Sequence, residues 1–249
     1  MRISVLVGAA VLALLFFINL VATAPARLLN FFVPEEQILL QGLSGTVWDG
    51  SASGVIIRLP QGYFQLGAVE WSLQPVSLLT LAPHITLRSE WGRQAFAAEL
   101  IVRGQQDIDI INLEAQLAAG MLSRFAPVAV DGFFSLQSGL LQVRDGMPFS
   151  GEGRLVWQNA GWNSPRGLVP LGTYALDFQQ PENEALQGQI LTLSGPLEAS
   201  GTLQLQQRSY AVDILIASEG SLDTQIQQML SLIAQPEDAG FRLALDGDL

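Results

Sequence analysis

The chain has 249 residues and a net charge of -11 at pH 7, and its 12 basic residues are all arginine. An acidic protein without basic clusters is excluded from the nucleic-acid-binding class, because neutralising phosphates requires grouped Lys or Arg. The absence of cysteine excludes disulfides and thiolate metal sites, although it does not fix the compartment.

The first element is a long apolar segment, residues 3–26, which carries no charge. A helix rises about 1.5 Å per residue, so this segment is longer than the roughly 30 Å hydrocarbon core of a bilayer. We therefore predict a retained membrane anchor over residues 1–26. The alternative is a cleaved signal peptide ending at Ala24. Against it, Pro25 would follow the cut, and the apolar run exceeds the about 7–15 residues usual for such peptides.

Arg2 and Arg27 flank this segment on opposite sides, so the arginine bias that sets membrane orientation is weak. A two-residue head and a large exported body favour a cytoplasmic N-terminus and a periplasmic main domain. We expect residues 27–43 to be a juxtamembrane linker and residues 44–249 to form that domain.

Most of the remaining chain alternates apolar and polar residues, which is typical of strands with one apolar face. The pattern is clear at 69–73, 85–88, 96–102, 174–178, 210–216 and 241–245, with Gly, Pro, Asn or Ser between the runs. We predict a mainly β fold, either an antiparallel curved sheet or a two-sheet sandwich over a shared core.

Two segments have helical spacing instead, and we predict two short amphipathic helices. Residues 112–125 place Leu113, Leu117, Met121 and Phe125 on one stripe, with Asn112 as the N-cap. Residues 221–234 form a second stripe that Pro236 would end. Packing across the sheet is the commoner use of such a helix, and a partner surface is the alternative.

A faint duplication suggests two related halves, about 44–130 and 131–249. Residues 45–50 resemble residues 154–159, and residues 66–73 resemble residues 171–178. The hypothesis requires Trp48 and Trp157 to occupy related environments.

The sequence offers little for catalysis, so we predict no enzyme activity, no catalytic residues, no cofactor and no metal. His84 is the one histidine, and no Gly-x-Ser-x-Gly motif accompanies it. Asp107 and Asp109 share one face of a strand and could bind a cation, but alternation with Ile favours a solvated strand face. The five tryptophans are more typical of a core than of an open apolar groove, which is the alternative.

The motifs SGTVWDG at 44–50 and VEWSLQP at 69–75, behind the N-terminal anchor, resemble those of the type II secretion system protein N family. Looser strand patterns extend the resemblance over essentially the full length, from PLGTY at 170–174 to FRLALDG at 241–247. Within or beside these motifs, Gly45, Trp48, Gly50, Trp71 and Trp157 are our candidate structural or interaction residues.

The resemblance implies a single-span inner-membrane protein that serves the type II secretion pathway as an accessory, non-enzymatic assembly or stabilising component. Its expected partners are other inner-membrane components of that machinery. A looser similarity to AsmA-type proteins, which carry lipid along an apolar groove, implies the alternative, a periplasmic lipid-binding or lipid-transfer module.

Overall fold

The computed structural model describes residues 2–31, 33, 37–59, 62–104, 106–124, 129–164, 166–206, 209–218, 224–237 and 240–248. Its α-helices are α1 (Arg2–Ala22) and α2 (Thr224–Ile233), and short 3-10 helices occupy Ala26–Phe31, Pro75–Thr80 and Ala119–Arg124. The strands are β1 (Ile38–Gln41), β2 (Ser44–Gly45), β3 (Asp49–Leu59), β4 (Gly62–Leu73), β5 (His84–Trp91), β6 (Gln94–Val102), β7 (Ile108–Ala118), β8 (Val130–Arg144), β9 (Met147–Ser164), β10 (Gly167–Gln180), β11 (Leu186–Ser194), β12 (Glu198–Gln206), β13 (Ser209–Ala217), β14 (Gln235–Glu237) and β15 (Gly240–Asp248).

Across the described ranges, the 15 strands form one antiparallel sheet, and from β3 to β13 each strand pairs with the next along the chain. At one end β1 and β2 both pair with β3, and at the other β15 lies between β13 and β14. Short hairpin connections produce this order, because a strand that turns back directly pairs with its predecessor. The prediction of a mainly β fold with an antiparallel sheet is confirmed, and the arrangement is one open sheet rather than a two-sheet sandwich.

The two helix predictions have opposite outcomes. The second is confirmed by α2, which ends before Pro236. The first is wrong, because residues 112–118 belong to β7 and only residues 119–124 form a 3-10 helix. Leu113 and Leu117 are four residues apart, and a spacing of four fits strand alternation as well as a helix turn. Asn112 has a φ of 51° at a register shift between β6 and β7, so it lies at an irregularity in the strand and caps no helix.

The N-terminal helix α1 runs over 21 residues, and its side chains are described from Val11 onward. Residues 11–21 are all exposed. Among the residues that the structure describes, no helix is long and apolar enough to cross a membrane. The retained anchor therefore stays a prediction.

Of the two pairs of similar motifs, one pair lies in comparable strands and the other does not. Residues 66–73 lie in β4 and residues 171–178 in β10, and each strand has a glycine of positive φ beside a register shift, Gly67 at 77° and Gly172 at 139°. Trp48, in contrast, precedes β3 in a bend, whereas Trp157 lies inside β9. The related environments that the duplication hypothesis requires of Trp48 and Trp157 are therefore not found, and this counts against two related halves.

Two small clusters hold most of the buried apolar side chains that the structure describes, and the others are scattered along the sheet and its connections. The first joins Ala52, Val55 and Val69, and the second joins Ala160, Leu171, Leu197, Ile226 and Leu230. The accessible surface is 16258 Å², whereas a compact protein of this mass exposes about 10,800 Å². An exposed α1 and a single open sheet are both arrangements that leave more surface in contact with water than a compact fold does.

Candidate functional site

The sheet has one apolar and one polar face, and two neighbouring rows of residues define them. Directly paired residues on adjacent strands point to the same side, while successive residues in a strand point to opposite sides. The apolar row crosses from β3 to β15 as Ala52, Val69, Ser89, Phe96, Ala115, Leu136, Leu155, Leu176, Ile190, Gly201, Ile214 and Leu243. The polar row lies one residue away in every strand: Ser51, Glu70, Arg88, Ala97, Glu114, Gln137, Arg154, Asp177, Gln189, Thr202, Asp213 and Ala244.

Much of the apolar row is uncovered. Ala52, Val69 and Ser89 are buried, but every member from Phe96 to Leu243 is partly exposed. Ser89, the one polar side chain of the row, donates from Oγ to the carbonyl oxygen of Leu66 at 2.5 Å, so its hydroxyl is satisfied. Contiguous apolar surface of more than a few hundred Å² is typical of a binding site. We define the apolar face as this row and the side of the sheet on which it lies, and we take it as the candidate functional site.

The polar face carries ion pairs between neighbouring strands. Arg154 donates from Nε and Nη2 to the carboxylate of Asp177, and Arg242 donates to Asp213 at 2.8 and 2.6 Å. These hydrogen bonds hold the pKa of Asp177 and of Asp213 below its usual range. An open depression on this side of the sheet includes Glu114, Gln137 and Arg154 in its lining. This face is adapted to water and satisfies its own charges.

One end of the apolar face is covered by α2. Ile226 and Leu230 of this helix are buried against Ala160 and Leu171, with Trp157, Tyr174, Ile216 and Phe241 packed around them. The Tyr174 hydroxyl donates to the carbonyl oxygen of Leu171 at 2.7 Å and also lies 3.2 Å from that of Leu197. Burial raises the pKa of Tyr174 to about 12. Tyr174 therefore acts as a neutral packing group beneath the helix.

Four of the five candidate residues lie where α1 meets the sheet. Trp48 donates from Nε1 to the carbonyl oxygen of Val21, near the end of α1, at 2.8 Å. Trp71 donates from Nε1 to the carbonyl oxygen of Val47 at 3.1 Å. Gly50 pairs with Trp71, and a side chain at Gly50 would collide with the indole ring. We call this group the anchor junction.

Gly45 completes the anchor junction, where β2 turns into β3. Its φ is 79°, and an added Cβ would approach the backbone oxygen of Asp49 to 2.5 Å. A glycine is required there, because side chains disfavour positive φ. The hydrogen bond from the Val47 amide to the carbonyl oxygen of Ala24 at 2.9 Å ties this turn to the residues that follow α1.

Trp157 lies elsewhere, on the apolar face beside the part that α2 covers. Its ring stacks on Phe134 at 5.6 Å between centroids, and its Nε1 donates to the carbonyl oxygen of Asp131 at 2.9 Å. The structure therefore joins Gly45, Trp48, Gly50 and Trp71 at one place and leaves Trp157 in another. No tryptophan is fully buried; Trp91 is 46% exposed.

The carboxylates that the sequence singled out are held by arginine. Asp109 is buried, and its carboxylate accepts from Arg103 Nε at 2.5 Å and from Arg144 Nη2 at 2.6 Å. Burial alone would raise the pKa of Asp109, but the hydrogen bonds and charges of both arginines outweigh it and lower the pKa below its usual range. The interpretation of a solvated strand face is wrong for Asp109. Alternation of aspartate with isoleucine in the sequence does not show that Arg103 and Arg144, at the ends of the neighbouring strands, reach this carboxylate.

The remaining polar candidates do not assemble a catalytic site. His84 Nε2 lies 3.2 Å from Glu99 Oε2 at the start of β5, and both side chains are partly exposed. Asp107 Oδ1 accepts from the Asp145 amide at 2.9 Å. Among the described residues, no group of three His, Cys, Asp or Glu side chains could hold a metal ion.

Alternation in the sequence predicts about half of the strands that the apolar row crosses, but the polar row was missed as a continuous feature. Glu70, Arg88, Glu114, Arg154 and Asp177 look like scattered charges in the sequence. Strand pairing brings them into one line, and only the register shows this. Each of these charged residues directly neighbours an apolar-row residue in the sequence, and this regular placement could have predicted that they share the opposite face.

Comparison with known proteins gives a consistent result. The family model described as type II secretion system (T2SS), protein N, matches residues 36–244. A protein of Aeromonas hydrophila named type II secretion system protein N is 26% identical over 223 residues, covering 84% of this chain and 83% of the relative. A protein of the same name from Vibrio cholerae serotype O1 is 28% identical over 232 residues, covering 89% of each. No solved structure matches.

Proposed function

The chain belongs to the type II secretion system protein N family, and from this premise we propose that it is an accessory inner-membrane component of the secretion machinery. In this role it assembles or stabilises other components by contact and carries out no reaction. The observation that carries the proposal is the family match over residues 36–244, which runs from the segment before β1 into β15. The function shared with relatives therefore belongs to the sheet and its two faces.

The proposed membrane attachment is residues 1–26, with the N-terminus in the cytoplasm and the sheet in the periplasm. Supporting it, residues 3–26 of the sequence form an uncharged, mostly apolar run that exceeds the about 20 residues a spanning helix needs. A single span confines the attached domain to the membrane surface, which raises its effective concentration near other membrane components. Contact with those components is then favoured even where each interface is weak.

Within this proposal, the anchor junction fixes the sheet to the membrane span. Trp48 bridges to α1 and Trp71 bridges to the preceding loop. Gly50 leaves room for the Trp71 indole, and Gly45 leaves room for the backbone of the turn. Trp157 has the separate role of packing beside the helix that covers one end of the apolar face. Residues 27–43 are the proposed linker and residues 44–249 the proposed domain, and β1 (Ile38–Gln41) at the end of the linker joins the sheet by pairing with β3.

The proposed role is tested by deleting the gene and complementing it with designed variants. The deletion is expected to lower exoprotein release or the amounts of neighbouring machinery components. A variant with an unrelated single-span anchor in place of residues 1–20, which keeps Val21 and Ala24 for the anchor junction, should restore secretion, because only tethering is required of the replaced segment. A variant released into the periplasm by a cleavable signal peptide should restore it poorly. Normal secretion and normal component levels in the deletion strain would contradict the proposal.

A second candidate function, binding of a lipid acyl chain, is favoured by one observation. The apolar row from Phe96 to Leu243 is partly exposed, and no second sheet lies over it among the residues that the structure describes. An acyl chain would bury this surface without needing polar partners. The machinery role and lipid binding are compatible, since a lipid-filled face can still present sheet edges to proteins.

Native mass spectrometry of the purified full-length protein tests this candidate. Bound phospholipid is expected in the wild type and should be reduced in Leu155→Asn, which places an amide on the apolar face. The matched control is Val156→Asn, the next residue along β9 but on the opposite face, which should keep its lipid. Equal lipid content in both variants, or none in the wild type, would remove the candidate.

A further inference from the structure

The connection between β4 and β5, residues 74–83, exposes aliphatic side chains that the fold does not use. Leu79 and Leu81 are 84% and 85% exposed, and Val76 is 74% exposed. The segment QPVSLLTLAP contains no charged residue. Three aliphatic side chains so close together in an uncharged loop differ from the scattered exposed leucines that are normal on protein surfaces. We name residues 74–83 the apolar loop.

Local hydrogen bonds give this loop a defined shape and turn its hydroxyl groups inward. Ser77 Oγ donates to the carbonyl oxygen of Gln74 at 2.6 Å and accepts from the His84 amide at 2.9 Å. Thr80 Oγ1 donates to the carbonyl oxygen of Ser77 at 2.8 Å. With its hydroxyls occupied by backbone partners, the loop presents an almost purely aliphatic outer surface.

Leu81 adds a sign of constraint. Its φ is 53°, and its amide donates to the carbonyl oxygen of Leu78 at 3.1 Å, closing the 3-10 helix Pro75–Thr80. A leucine in the left-handed region is unfavourable, and glycine or asparagine is the usual residue there. Leu81 is therefore a large, exposed apolar side chain at a position where glycine or asparagine would fit the backbone better.

The apolar loop leaves the sheet beside the end of α1. Leu73, the last residue of β4, donates from its amide to the carbonyl oxygen of Trp48 at 2.6 Å. Trp48 in turn donates from Nε1 to the carbonyl oxygen of Val21. Two hydrogen bonds through Trp48 thus connect the strand that leads into the loop with the last turn of the proposed membrane span.

We propose that the apolar loop inserts into the surface layer of the same membrane that holds α1. The inference rests on the proposed anchoring of α1 and goes beyond it, because it adds a second contact with lipid. Burial of uncharged aliphatic side chains at the boundary of headgroups and acyl chains lowers the free energy of the system. Two contacts, one spanning and one superficial, fix the direction in which the sheet projects from the bilayer.

Single-cysteine labelling tests the proposal cleanly, because the chain contains no cysteine. The full-length protein is reconstituted into phosphatidylcholine vesicles with an environment-sensitive fluorophore on Leu79→Cys, and Val76→Cys serves as a second loop position. Tyr63→Cys is the matched control, since Tyr63 is 62% exposed at the far end of the same strand β4. Leu14→Cys, within α1, reports on the anchor itself. Thermal unfolding of each labelled variant establishes that it is folded.

Quenching by phosphatidylcholine that carries a nitroxide near its headgroup or near its chain end gives the depth of each label. We expect headgroup-region quenching and a blue shift at Leu79 and Val76, deep quenching at Leu14, and neither effect at Tyr63. Deep quenching at Leu14 without lipid quenching in the loop would overturn the inference and leave the proposed anchor intact. A blue shift without lipid quenching would also overturn it, because a protein surface would then cover the loop. No quenching at Leu14 would remove the anchor and the inference together.

Discussion

Two regions of the apolar face, one beneath α2 and one in the middle of the sheet, receive different covers although their sequence patterns match. Between β13 and β15, α2 inserts Ile226 and Leu230 and buries the sheet beneath them. Between β7 and β8, the only regular element among the described residues is the 3-10 helix Ala119–Arg124, whose one buried residue among the side chains described is Ala119. The apolar row that ends at Leu243 is therefore closed off near α2 and open in the middle of the sheet.

This difference shows that strand alternation determines which side of a sheet is apolar but not whether that side is covered. Cover depends on a separate element with enough turns to bring large side chains onto the face. We expect the covered region to supply local stability and the open region to supply binding surface. Substitutions in the covered region should therefore lower the free energy of unfolding more than substitutions in the open region. Four substitutions test this difference and are given in order of expected effect.

The largest effect is expected from Leu230→Ala, in the covered region. Leu230 is 1% exposed, so truncation removes buried contacts and leaves a cavity. The free energy of unfolding should fall by about 2–5 kcal/mol. Denaturant unfolding of the full-length protein in detergent measures the loss. Leu232→Ala on the same helix is the control, since Leu232 is 85% exposed and its truncation should cost almost nothing.

A smaller loss is expected from Asp109→Asn, because Asp109 is buried between Arg103 and Arg144. Replacing the carboxylate should reduce stability at neutral pH by about 1–3 kcal/mol, the range for a charged hydrogen-bond partner. The pKa of Asp109 is lowered in the folded state. Its contribution is therefore present above its unfolded pKa of about 4 and is lost as pH falls through the folded pKa.

Unfolding measured as a function of pH checks this sign. The difference between wild type and Asp109→Asn should shrink on acidification below about pH 4. Asp107→Asn is the control, because Asp107 accepts a single exposed amide. A difference that stays constant with pH would mean that the two arginines do not stabilise the carboxylate.

The third effect comes from Leu136→Ala in the open region, which makes it the direct counterpart of Leu230→Ala. Leu136 is partly exposed and lies outside the cluster that α2 buries. Because little burial is lost, the free energy of unfolding should fall by about 1 kcal/mol or less. A loss equal to that of Leu230→Ala would mean that the open region is covered in solution.

The smallest effect is expected from Arg154→Gln on the polar face. Arg154 and Asp177 form a well-aligned but exposed pair, and exposed pairs contribute little because water and salt screen them. Stability should change less than in Leu136→Ala, and adding salt should reduce the change further. A larger and salt-independent loss would show that something shields this face from solvent.

Particular residues show how far the sequence could lead. Alternation at Val69 and Trp71 was sufficient to predict their strand, because apolar side chains on one side and polar ones on the other leave few alternatives. It failed at Leu113 and Leu117, whose spacing suits both structures. Asp109 could not be assigned, since its two arginines reach it from a loop and from another strand. The sequence likewise could not predict which part of the apolar face is covered, because this depends on where α2 packs.

The most direct test of the account is site-specific photocrosslinking in intact cells from two neighbouring residues of β8. Leu136 lies on the open part of the apolar face and Gln137 on the polar face. With a photoreactive amino acid at each position in turn, the account predicts strong adducts from position 136, with a secretion-machinery component or a phospholipid, and weak ones from position 137. Equal adducts from both positions, or none from position 136, would contradict the claim that the open apolar face is the binding surface.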